Sequence, residues 1–119
     1  MYRITRNTAL NRVTVTYDGP CNYSVYVFWK ELTEAVQFAK CAGEHFDVLV
    51  DHTATSIMSP ERTAKSEDMA PWCIKNGLRK SANIVPSAVV RMQLQRMTGN
   101  NEQFSFFETL REAEEWLAI

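Results

Sequence analysis

The hydrophobic residues of this chain change their period several times, and each change marks an element. Val13, Val15 and Tyr17 alternate with Thr14 and Thr16, the two-residue period of a half-buried strand. With Tyr2–Thr8 before it and a turn around Ala9–Asn11, this run reads as the second arm of an opening β-hairpin, stopped by Asp18-Gly19-Pro20. From about Tyr23 to Ala42 the period lengthens. Val25, Phe28, Leu32, Ala35, Val36 and Ala39 recur at three- and four-residue steps and form one apolar stripe. Lys30, Glu31, Glu34, Gln37 and Lys40 fall mostly away from that stripe, and Gly43 is placed to end the helix.

The stretch Phe46–Lys65, FDVLVDHTATSIMSPERTAK, organises the rest. Val48-Leu49-Val50 is a continuous apolar run, as expected of a central strand covered on both faces. Asp51 ends it, and the polar loop His52–Ser56 follows. Ser59-Pro60-Glu61 then starts a helix: Ser59 accepts from a free backbone N–H as N-cap, Pro60 suits the first helical position, and Glu61 favours the positive end of the dipole. Pro71 should kink or split this helix. Met69, Trp72, Cys73 and Leu78 are its expected inward residues, and Asn76-Gly77 its stop.

Ser81–Val85 is a short strand candidate, punctuated by Pro86-Ser87. The segment after it fits two patterns. Val90, Leu94 and Met97 have helical spacing, with Ser87 as cap. Val90, Met92 and Leu94 also alternate with Arg91, Gln93 and Gln95, and a strand here would form a hairpin with Gln103–Phe107. Thr109 and Glu112 have capping-box spacing and open a final helix with Leu110, Ala113, Trp116 and Leu117 on its apolar side. Four or five strands interleaved with about four helices make one α/β domain over residues 1–119: a hairpin, then parallel crossovers, in a mixed sheet. Ligands of such sheets meet the loops at strand carboxyl ends, which places Asp51–Ser59 on the functional edge.

Composition narrows the function. An apolar fraction of 45% with 23% charged residues belongs to a folded chain, and a net charge of −1 gives no electrostatic case for nucleic acid. No apolar run approaches the roughly 20 residues of a membrane span, and MYRITRNTALNR lacks the core of a signal peptide. Cys21, Cys41 and Cys73 are odd in number and widely spaced, so reduced thiols and a cytoplasmic location are expected. His52 adjoins Asp51, but neighbours on a strand point to opposite faces, which argues against a catalytic pair. His45 is the other histidine, and no spacing supplies the three or four convergent ligands of a metal site. Arg79-Lys80 with Arg91 and Arg96 form either a basic patch or a solvated face.

Three segments in order carry a resemblance: MYRI…NRVTVTYDGP, VLVDHTATSIMSPE, and the pair NIVPSAVVRMQLQRM and FFETLREAEEWL. Together they resemble the STAS-type, SpoIIAA-like domains, relatives of anti-sigma-factor antagonists, over nearly the whole chain. The resemblance implies that 87–97 is a helix. It also implies a phosphorylatable serine in the loop. With Asp51 on the family's strand-end aspartate, however, Pro60 and Glu61 fall where the acceptor serine and its neighbour belong. Ser59, one position earlier, is the remaining candidate phosphosite, because a phosphate is favoured at a helix N-terminus. The expected function is therefore a non-catalytic regulatory or protein-binding module that presents Asp51, Thr53, Ser56, Ser59 and Ser87 to a protein partner or to a second copy in a homodimer. The alternative is a carrier or sensor of a small apolar or anionic ligand, lipids included, held between the sheet and the 87–97 helix. No cofactor is implied, and no acid, base and nucleophile converge to suggest an enzyme.

Overall fold

A computed structural model describes residues 2–19, 23–55, 58–99 and 101–119. Strands β1 (Tyr2–Asn7) and β2 (Arg12–Tyr17) form the antiparallel hairpin, with Ile4 opposite Val15 and Asn11 at a positive φ of 48° in the turn. Helix α1 (Val25–Ala42) leads to β3 (Phe46–Asp51), which lies parallel to β2. Helices α2 (Pro60–Ser66) and α3 (Met69–Lys75) lead to β4 (Leu78–Ile84), α4 (Ala88–Thr98) leads to β5 (Phe104–Phe107), and α5 (Leu110–Leu117) closes the chain. All later strand pairs are parallel, and the order across the sheet is β1-β2-β3-β4-β5.

That monotonic order explains the layering. Parallel neighbours are joined by right-handed connections as a rule, so successive steps in one direction put the crossover helices on one face. Phe28, Leu32 and Val36 of α1 and Cys73 of α3 pack there with Val13, Val15, Val48 and Val50; Val90 and Leu94 of α4 pack with Val85 and Phe106. Among the described residues, the opposite face receives α5 alone, through Leu49, Ala82, Ile84, Ala113 and Leu117. Val48, Leu49 and Val50 are all buried, in the middle strand, as their unbroken apolar run predicts.

Pro71 acts four residues upstream of itself. Its ring would collide with the carbonyl of Glu67, so the helix breaks at Glu67–Asp68, and Pro71 falls in the first turn of α3, where no N–H partner is needed. The sheet is thus packed by four helical units, one of them in two pieces. Leu78 does not belong to α3: it opens β4, three residues before the expected start of that strand. Gly77 makes the reversal. It has φ +100°, and a Cβ there would stand 2.5 Å from the Glu44 carbonyl oxygen. Gly43 ends α1 differently from expectation. Its φ of −175° is ordinary extended backbone, and Asn11 Nδ2 bridges the Ala39 and His45 carbonyls beside it.

The ambiguous segment is a helix. Ser87 Oγ accepts from the Val90 N–H, and Gly99 ends α4 in the left-handed region at φ 64°. Val90 and Leu94, one turn apart, are buried, whereas Met92, which a strand would turn inward with them, is 54% exposed.

The four basic residues do not form one patch. Arg79 clasps the buried Asp47 carboxylate at 2.8 and 2.6 Å and also donates to the Leu117 carbonyl at 2.6 Å. Lys80 donates to the Trp116 carbonyl and lies 4.8 Å from that indole ring. Both cations therefore cap the carbonyl end of α5, where the helix dipole favours them. Arg91 and Arg96 belong to α4 on the other face.

Candidate functional site

Two rows of residues cross the sheet beneath the crossover helices: Val13, Val48, Ser81 and Phe104 in one, Val15, Val50, Asn83 and Phe106 in the next. In each row β4 contributes a short polar side chain where its neighbours contribute bulk. Parallel strands covered on both faces usually read as unbroken apolar runs. The shortfall at Ser81 and Asn83 leaves a cavity of about 130 Å³ between the sheet and the helices, walled by residues such as Leu32, Met69, Leu94 and Met97. Among the described residues, no Asp, Glu, Lys or Arg lines it. Its buried polar groups are His52, Ser81 and Asn83.

His52 sits where β3 runs into the loop. Its N–H continues the sheet by donating to the Ile84 carbonyl at 2.9 Å, and its ring stacks on Tyr17 at 5.0 Å. Burial pushes the ring down to about 4 from an ordinary 6.5, against the opposing pull of the Asp51 carboxylate and of a hydrogen bond with Asn83. The ring is thus neutral at pH 7. Its Nδ1 lies 3.2 Å from the Thr55 hydroxyl oxygen, within hydrogen-bond reach. Cys73, on the opposite wall, is held protonated, its thiol pushed up to about 12 by burial.

The cavity continues into a smaller vestibule of about 60 Å³ that shares Phe28, His52, Met69, Leu94 and Met97 and adds Thr55, Met58 and Arg62. This is the carboxyl end of β3, the edge at which α/β sheets receive ligands. Arg62 is fixed there by an Nη1 bond to the Tyr23 carbonyl at 2.8 Å and by its stacking over the Tyr23 ring. Gln93 of α4 clasps the backbone of Met58, accepting from its N–H at 3.1 Å and donating to its carbonyl at 2.9 Å, which ties α4 to the loop across the vestibule.

The loop residues singled out by sequence are placed as follows. The Asp51 carboxylate accepts from the Thr53 N–H at 2.8 Å, and Thr53 is exposed. Ser59 caps α2 by accepting from the Arg62 N–H, and Ser87 caps α4. The two serines therefore belong to different helix starts, with their hydroxyl oxygens engaged locally. Ser56 lies outside the described residues, as does Cys21. Sequence reasoning missed Ser81 and Asn83. The signal was present, as two polar residues at i and i+2 on the inner side of a strand expected to be covered by a helix. Among the described residues, no three His, Cys, Asp or Glu side chains gather, and no helix is long and apolar enough to cross a membrane. No family model matches the chain, and no curated protein matches it.

Proposed function

We propose that this chain is a non-catalytic, STAS-like module that binds a small apolar molecule under α4, as a sensor or carrier. The observation that supports this reading is the cavity itself: about 130 Å³, uncharged, and opening through a vestibule at the strand carboxyl ends. Its size decides the guest. An engineered apolar cavity of about 150 Å³ stays dry and takes benzene, whereas sites for drug-sized ligands run to roughly 300–1,000 Å³. A full lipid chain does not fit; a single ring or a short chain does. Among the described residues no cation lines the inner cavity, and Arg62 in the vestibule is already held by Tyr23, which favours a neutral guest over an anionic one. The docking-loop reading has less to rest on, because the Asp51 carboxylate and the Ser59 and Ser87 hydroxyl oxygens already serve local backbone groups.

The reading is tested by native mass spectrometry of the freshly purified protein, followed by thermal melting in benzene-saturated buffer. Ligand-bound protein or a rise in Tm is expected, because a molecule that binds only the folded state stabilises it by mass action. An unchanged Tm together with a ligand-free mass counts against the cavity as a binding site.

A further inference from the structure

We propose that the cavity selects neutral molecules of about six to eight heavy atoms that carry one hydrogen-bond-accepting oxygen, and that Ser81 Oγ–H is the group that binds this oxygen. The inference rests on the ligand-binding reading above and specifies its chemistry. Ser81 is 3% exposed and lines the cavity. Its hydroxyl oxygen accepts from Asn83 Nδ2 at 3.4 Å, yet among the described residues its proton is donated to no acceptor. A serine hydroxyl offers one donor, and an unmade donor in an apolar site is a standing penalty that an incoming oxygen removes.

The neighbouring polar groups are already committed. Asn83 Nδ2 also reaches the Ser81 and Ser105 carbonyls, at 3.2 and 3.3 Å. The His52 ring is held between Thr55 and Asn83. Of the three buried polar side chains of the cavity, Ser81 is thus the one whose donor is left over among the described residues. Water is a poor occupant of such a space, since a buried water typically makes about three hydrogen bonds. A carboxylate is a poor one too, because among the described residues no cation lines the inner cavity to offset its desolvation and Arg62 in the vestibule is engaged by Tyr23. A cyclic or short-chain ketone or ether satisfies both conditions.

The experiment is an amide chemical-shift titration of the full chain with cyclohexanone, benzene and benzoate, repeated on Ser81→Ala and Ser81→Cys. Cyclohexanone should bind the wild type about fivefold more tightly than Ser81→Ala, with Ser81→Cys between them. Benzene should bind all three proteins alike, and benzoate none. Equal cyclohexanone affinity in wild type and Ser81→Ala, with benzene still bound, overturns the role of Ser81 and leaves the cavity reading intact. Benzoate binding as strong as that of cyclohexanone overturns the neutral class. If neither cyclohexanone nor benzene binds the wild type, the cavity reading itself fails. If Ser81→Ala does not fold, Ser81→Cys carries the comparison, because a thiol keeps the size and weakens the donor.

Discussion

Acidification should destabilise this protein through His52 as the pH falls from about 6.5 to about 4. The ring takes up its proton near 6.5 when unfolded and only near 4 in the fold, where burial disfavours the charge. Between those values the unfolded chain binds one more proton than the folded one, so stability falls as the pH falls, by up to about 1.4 kcal/mol per pH unit. The contribution is fully present above pH 6.5 and lost on the way down to about pH 4, a total of about 3 kcal/mol. The comparison is with His52→Gln, which removes this titration and leaves every other ionisable residue in place. Urea denaturation of both proteins at pH 7.5, 6.5, 5.5 and 4.5 gives the difference in stability at each pH. That difference should move by about 2–3 kcal/mol against the wild type between the two extremes. A difference constant to within about 0.5 kcal/mol would refute the reasoning, because it would mean that His52 titrates in the fold as it does in solution.

Two further substitutions test the frame that holds the cavity. Arg79→Met removes the partner of the buried Asp47 carboxylate and should destabilise by about 2 kcal/mol in urea melts at pH 7, less than for a fully buried pair because the Arg79 side chain is 40% exposed. Gly77→Ala places a methyl against the Glu44 carbonyl at a positive φ and should cost more than about 2 kcal/mol by the same assay; an unchanged midpoint would show that the α3–β4 turn takes another shape.

Much of the architecture was legible because single residues state it locally. Val48-Leu49-Val50 declares a strand with two covered faces, Ser59-Pro60 a helix start, and Thr109 with Glu112 the last helix, whose Thr109 Oγ1 indeed accepts from the Glu112 N–H. What stayed hidden depends on partners far away in sequence. Leu78 reads as the end of a helix until Gly77 is seen tucked under Glu44. Arg79 and Lys80 read as a surface patch until α5 brings its carbonyls to them. The pattern over 87–97 fits two periods; the resemblance implied a helix there, and the burial of Val90 and Leu94 against Val85 and Phe106 is the packing that a helix provides. The cavity was least legible, because it arises from a deficit. Ser81 and Asn83 are unremarkable in a one-dimensional pattern, and their small volume matters only once rows from β2 to β5 are aligned beneath α4.

The most direct measurement is the structure of a crystal pressurised with xenon, an apolar guest that needs no hydrogen bond and so tests the cavity apart from the role of Ser81. A xenon peak among Val50, Leu94 and Phe104 is the predicted result. Side chains of Leu94 and Met97 collapsed into the space, or ordered water there with no xenon, would contradict it.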